Sequence, residues 1–276
     1  VTRVIVSFAD DLATKPDEDE LDATPPNFSK AYNLYNRALQ MEIDRDLKDE
    51  LMFKKARAIQ EAGNAHAAVR DFQAYLDEFD PDWTGPTGNT QLKTVNPPPA
   101  GQHIQEARYR MARAEIDRGR HPQGRWQAED LIRMITDDDE AAKNPPQFLA
   151  DTRWLIVRSY NMPNPAASQL DMAITASRDF LRHHPDDPRA IKAAFDIPQA
   201  YHNHGRASDA LEAYRRFIDG DGFQLPRETA TEDHPDLPKS PAELEEEWTQ
   251  LALYRIGTIQ YSQLDPEAAI ETWQSY

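Results

Sequence analysis

Apolar positions recur three and four residues apart along almost the whole chain, which predicts helices throughout; only Val4 to Phe8 leaves room for a strand-like alternation. The periodic stretches also follow one another in a fixed order. Ala193 to Tyr201, Gly205 and Ala210 to Ile218 read as a helix, a glycine turn and a second helix. Phe53 to Ile59, Gly63 and Ala68 to Leu76 repeat it. So do Tyr109 to Ala112 with Gly119 and Ala128 to Ile132, and Trp154 to Tyr160 with Ala173 to Leu181 and Pro185. A further copy runs from Tyr254 to Trp273, and Ala31 to Leu39 matches the second helix of an earlier unit. Self-similarity of this kind predicts a repeat architecture, in which each hairpin buries its apolar face on its neighbours.

The order of a large apolar residue, a small residue and Tyr on the first helix (helix A), then Ala and an aromatic on the second (helix B), resembles the tetratricopeptide repeat (TPR) family. The resemblance implies an all-α superhelical solenoid of about five and a half hairpins and about twelve helices. Counting the family's first position as Asp49, Gln105, Ala150, Ile191 and Gln250 gives spacings of 56, 45, 41 and 59, longer than the family's 34. The hairpin units fall at 1–42, 47–79, 101–137, 147–184, 187–219 and 240–276, and the excess lies mainly in insertions at 80–100 and 219–239, rich in Pro, Gly, Asp and Thr. Ser240-Pro241-Ala242-Glu243, Asp187-Pro188 and Asp265-Pro266 read as helix starts, with a capping residue followed by Pro. Pro198 departs from the pattern, standing where helix A prefers a small residue. Either it kinks the helix at a cost of about 3 kcal/mol, or it belongs to a loop-like start.

Composition fits a thin core. The hydrophobic fraction is 39% and the net charge −17, from 31 Lys and Arg against 48 Asp and Glu. Such an acidic chain repels a phosphate backbone, so nucleic acid is not an expected partner. With no Cys, disulfides, thiolate metal centres and thiol catalysis are excluded. No apolar run approaches the roughly 20 residues of a membrane span, so no insertion by this segment is expected. The acidity is concentrated. From Asp10 to Asp22 seven acids stand with Lys15, and from Glu228 to Glu247 eight stand with Lys239, leaving the rest of the chain only slightly acidic. The chain opens on Val1 without a basic leader and stops within an amphipathic pattern, and reads as a segment of a larger protein.

The TPR resemblance implies that the second, fifth, ninth and twelfth positions of helix A face a concave groove. Fifth positions are Phe53, Tyr109, Trp154, Phe195 and Tyr254; ninth positions are Arg57, Arg113, Arg158, Gln199 and Thr258. An Arg four residues after a ring shares its helix face and can stack on it. Two readings stay open. The rings and arginines form a partner-binding groove attracting carboxylates and apolar side chains, or the rings pack between helices and the arginines shield them. The Lys and Asn clamp of chaperone-binding TPR domains is not matched. Helix B endings such as Asp71 to Leu76, Arg178 to Pro185 and Tyr214 to Ile218 resemble bacterial exported TPR proteins of the cell envelope, which implies a protein or peptide partner and an extracytoplasmic setting. The alternative implied is an accessory region of a larger secreted protein, an enzyme or an α2-macroglobulin-like inhibitor.

Catalytic patterns are absent from the sequence. His202 and His204 point about 200° apart on a helix and do not form a metal pair beside His183 and His184. Asp137 to Glu140 and Asp219 to Gly222 offer oxygen ligands without the EF-hand order and read as solvated loops. Asn27-Phe28-Ser29 fits a glycosylation sequon, with Ser29 as a helix cap the preferred reading. The expectation is a non-enzymatic scaffold with no cofactor and no metal.

Overall fold

The structure, a computed structural model of the chain, describes residues 1–14, 25–83, 100–223 and 241–275. Among the described residues the regular elements are all helical: α1 (Thr2–Ala13), α2 (Phe28–Ala38), α3 (Arg45–Glu61), α4 (Ala65–Phe79), α5 (Ile104–Asp117), α6 (His121–Thr136), α7 (Asp139–Lys143), α8 (Leu149–Ser159), α9 (Leu170–His183), α10 (Ala190–Asn203), α11 (Ala207–Ile218), α12 (Pro241–Ser262) and α13 (Pro266–Gln274). They follow one another as sequential hairpins of the TPR kind. A thirteenth helix was not expected. It is the one-turn α7, set up by the acidic run read as loop: the Ala141 N–H donates to Asp138 Oδ1 at 3.1 Å. The chain divides into two compact units, residues 1–155 and 156–276, with the division inside α8.

In the first unit, each hairpin packs on its sequence neighbour. Val4 to Phe8 is not a strand but part of α1, because Val6 and Ala9 lie one helical turn apart and bury together against Ala31, Tyr35 and Ala38 of α2. The cap of α2 is Asn27, whose Oδ1 accepts from Lys30 N–H at 3.0 Å, so the preferred reading of Ser29 as the cap is corrected by two residues. Helix α3 is wedged between its neighbours: Leu51 and Ala58 join the cluster with α1 and α2, while Phe53 and Ala56 join a second with Phe72, Tyr75, Leu76 and Met111 of α4 and α5. Two apolar faces on one helix are what a stack of hairpins demands of an inner element.

Three hairpin turns share one device. Gly63, Gly119 and Gly205 have φ of +84°, +83° and +71°, and the residue after each returns its N–H to a carbonyl five positions back, Asn64 to Ile59, Arg120 to Glu115 and Arg206 to Tyr201. The α12–α13 turn makes the same bond, Asp265 N–H to Gln260 O, but puts Leu264 at φ +64° in the glycine's place.

The first insertion leaves and re-enters the unit through two fixed flanks; residues 84–99 lie outside the described residues. On the exit side, Asp80 accepts from Arg108 Nε at 2.7 Å while Arg108 also donates to Asp130 of α6 at 2.8 Å. Its guanidinium lies 5.2 Å from the Trp83 ring centroid. On the entry side, Gly101 N–H donates to Phe79 O at 3.0 Å, Gln102 N–H to Asp49 Oδ2 at 2.8 Å and His103 N–H to the Tyr75 hydroxyl at 3.0 Å. Tyr75 in turn donates to Asp49 Oδ1 at 2.6 Å. A buried carboxylate and hydroxyl, both satisfied, thus clamp the start of α5 to α3 and α4.

In the second unit, Pro198 sits inside α10, which runs unbroken from Ala190 to Asn203, so it does not mark a loop-like start. Helix α10 begins two residues later than Asp187-Pro188 suggests. Asp187 does not cap it but accepts from Arg189, from its N–H at 2.8 Å and from its guanidinium at 2.7 and 2.8 Å. Asp265 caps α13 as expected, accepting from Ala268 N–H at 3.1 Å. Residues 224–240, including most of the second insertion and the Ser240 cap, lie outside the described residues, as does the Glu243 side chain.

Candidate functional site

The ninth-position arginines are placed by helices whose other faces are buried. Arg57 is exposed on α3 and makes no ion pair with a described residue, and Arg158 is exposed on α8. Arg113 is half-buried on α5, 3.7 Å from Asp117. Gln199 of α10 and Thr258 of α12 are half-buried, and the Thr258 hydroxyl bonds back to Tyr254 O at 2.8 Å.

The fifth-position rings occupy unequal environments. Phe53 and Phe195 are each 4% exposed, Tyr109 and Trp154 are half-buried, and Tyr254 is 49% exposed. Phe53 stacks on His103 at 4.4 Å and 13°, and meets Tyr75 edge-on at 6.0 Å. Tyr109 stacks on Phe148 at 5.2 Å and 12°. Phe195 is enclosed edge-on by Tyr214 at 5.6 Å, Phe217 at 5.3 Å and Trp248 at 4.9 Å. His103 and Phe148 share a place in the chain: each immediately precedes the first residue of the next helix A, α5 or α8. The ring at the start of one repeat therefore covers the fifth-position ring of the repeat before it. Sequence reasoning missed both. The signal available was an aromatic or His directly before a helix start in two units.

Charge around these rings is arranged across helix pairs. Burial pushes the Tyr109 hydroxyl up, helped by the Asp151 carboxylate and opposed by Arg113 and Arg110. Arg110, unremarked in the sequence, is held by Glu106 at 2.7 Å, Glu61 at 3.2 Å and Gln60 Oε1 at 3.3 Å, and its carbonyl accepts from Gln60 Nε2 at 2.8 Å. It joins α3 to α5 and is spent on that role. Arg57 and Arg113, by contrast, keep part of the side chain in solvent.

The other candidate groups are structural where described. Asp221 pairs with Arg216 at 2.7 Å. His204 sets its two ring nitrogens against Ala200 O at 2.8 Å and Pro165 O at 3.0 Å. Among the described residues no three His, Asp or Glu side chains converge as a metal site. No described helix is long and apolar enough to cross a membrane.

No protein-family model matches the sequence and no curated protein matches it. Solved structures do resemble it. A crystal structure of MamA protein aligns with a TM-score of 0.50 over 80% of this chain and 91% of that one, at 15% identity. The nearly identical TPR-like repeats of a putative kinesin light chain from Podosopora anserina align over 84% and 94%, at 12% identity and a TM-score of 0.44. The apo form of RapI aligns over 90% and 89%, at 11% identity and a TM-score of 0.47. At such identities the likeness concerns the fold alone, and the fold is the TPR-like stack of helical hairpins described above.

Proposed function

We propose that the chain is a non-catalytic scaffold that binds a protein partner on the helix A surfaces of its hairpins. The observation that carries this is the pairing, on α5 and α8, of a half-buried ring with an arginine one turn on: Tyr109 with Arg113, and Trp154 with Arg158. Arg57 adds an exposed guanidinium on α3. A partner carboxylate reaching such an arginine gains a charge-assisted bond, while an apolar neighbour covers the ring. Tyr254 and Gln199 offer the corresponding positions on α12 and α10. Phe53 and Phe195, being enclosed, act by holding the helices that present the others.

The test is partner capture with the native chain and with a variant carrying Arg57→Glu, Arg113→Glu and Arg158→Glu. The variant should lose the partner while its melting temperature moves little, since exposed substitutions away from special features usually change stability within about 0.5 kcal/mol each. Capture unchanged in a destabilised variant would assign the arginines to stability. Hydrolase substrates should show no turnover; turnover abolished by one point substitution would overturn the non-catalytic reading.

A further inference from the structure

The second unit carries a hollow of about 330 Å³ that the helix A surfaces do not include. It opens between the C-terminal halves of α9 and α11, over the middle of α10. Leu181, Ile197, Pro198 and Phe217 make its apolar floor, and Arg178, Arg182 and Arg216 stand around it. The apolar lining suits a large apolar side chain, and the volume has room for one together with part of the segment that carries it.

Two features distinguish this hollow from an ordinary gap between helices. Its basic side chains oppose the sign of a protein whose net charge is −17. Arg178 makes no ion pair with a described residue, Arg182 has only a long contact to Asp179 at 3.5 Å, and Arg216 holds Asp221. The other feature is Pro198. Having no N–H, it leaves the Ala194 carbonyl without its ordinary helical partner, and Ala194 and Pro198 both line the hollow. The odd proline of the repeat thus contributes its apolar ring to the floor.

We propose that this hollow is a second docking site, for an acidic peptide segment of a partner protein that inserts one large apolar side chain between flanking carboxylates. The apolar side chain fills the floor. The carboxylates meet Arg178 and Arg182, where the charge-assisted geometry of guanidinium and carboxylate favours a peptide over a neutral apolar ligand. The site is independent of the helix A reading and can stand if that reading fails.

The test uses a fluorescein-labelled twelve-residue peptide with one central Leu among Glu and Asp, titrated with the full chain and read by anisotropy at low salt. Arg178→Glu with Arg182→Glu should weaken binding roughly tenfold or more, because rim charges act through steering and complementarity. Ala213→Trp, which fills the hollow from α11, should do the same, with circular dichroism confirming the fold. A peptide with Leu replaced by Ser should bind as weakly, and Arg37→Glu, at an exposed position on α2, should leave binding unchanged. Undiminished binding to Ala213→Trp, or to the Ser peptide, would overturn the proposal by reducing it to surface charge. Absence of binding to any form would overturn it too. Binding that emerges only after Glu228, Glu232, Asp233 and Asp236 are made Gln or Asn would overturn it in favour of the chain's own acidic run.

Discussion

The clamp at the start of α5 makes a prediction whose size follows from its geometry. Asp49 and Tyr75 are buried and share three hydrogen bonds: Asp49 accepts from the Tyr75 hydroxyl and from the Gln102 N–H, and the Tyr75 oxygen accepts from the His103 N–H. Asp49→Ala strands the Tyr75 hydroxyl and the Gln102 N–H. At about 1–3 kcal/mol for the buried Tyr75 hydroxyl left without its acceptor, and less for the N–H of the exposed Gln102, the cost should be about 3 kcal/mol. Tyr75→Phe keeps the ring and removes the shared oxygen, and should cost about 2 kcal/mol by the same argument. Because both act on one network, the double variant should fall short of the sum by about 1 kcal/mol or more. Gly101 probes the same contact sterically: a Cβ there would lie 2.7 Å from the Tyr75 hydroxyl oxygen, 2.8 Å from Phe79 Cβ and 3.1 Å from Asp49 Oδ1. Gly101→Ala should therefore cost about 1–3 kcal/mol by overpacking, although its side chain is one methyl group. Urea unfolding measures the totals, and amide exchange at Gln102 and His103 reads the clamp locally. Exchange at those two amides unchanged by Asp49→Ala, together with an additive double variant, would refute the clamp.

Two further predictions use single positions. Leu264 is 91% exposed and holds φ +64° where three other turns place Gly, so Leu264→Gly should raise stability by about 1 kcal/mol, seen as a higher urea midpoint at unchanged slope. Burial would raise the Asp187 carboxyl, but the hydrogen bonds from Arg189 and its charge outweigh that and hold it below its ordinary value of 3.8. A depressed acid stabilises the fold above its unfolded value and loses that contribution as pH falls through its lower folded value. The stability difference between native and Asp187→Asn chains should therefore be constant at neutral pH and vanish in strong acid; a difference that persists there would mean that Asp187 acts without its charge.

The hairpin order was legible because its determinants are local. A glycine in the left-handed region ends helix A, and apolar periodicity ends helix B, so Gly63, Gly119 and Gly205 mark their turns directly. What failed had three separate causes, one distant in sequence and two local. The alternation at Val4 to Phe8 looked strand-like because Val4 and Phe8 stay in solvent while Val6 waits for Ala31 and Tyr35, and no window across those five residues contains that contact. Helix α7 is too short for periodicity to register and exists through its Asp138 cap. Asp187-Pro188 carried a genuine capping signal, but Arg189 captured the carboxylate before the helix could use it. In the candidate site the positions were legible and their exposure was not, since a ring's burial is decided by the residue that precedes the next helix.

That last point bears on where binding specificity can reside. Phe53 and Tyr109 occupy equivalent positions, yet one is closed over by His103 and Tyr75 while the other keeps part of its surface beside Phe148. Phe53→Ala should cost about 3–5 kcal/mol, a large share of the 5–15 kcal/mol by which folded domains are stable. Arg57→Ala, four residues on and exposed, should cost within about 0.5 kcal/mol. Equilibrium unfolding of the two variants checks the contrast, and equal losses would show that the guanidinium is part of the packing. At Phe53 and Phe195 the fifth position is thus constrained by the stack itself, whatever the partner. Under the scaffold reading proposed above, the ninth position, held by Arg57, Arg113, Arg158, Gln199 and Thr258, is the one that carries recognition, and an arginine-to-glutamate reversal at exposed Arg57 tests it with the least disturbance to the scaffold.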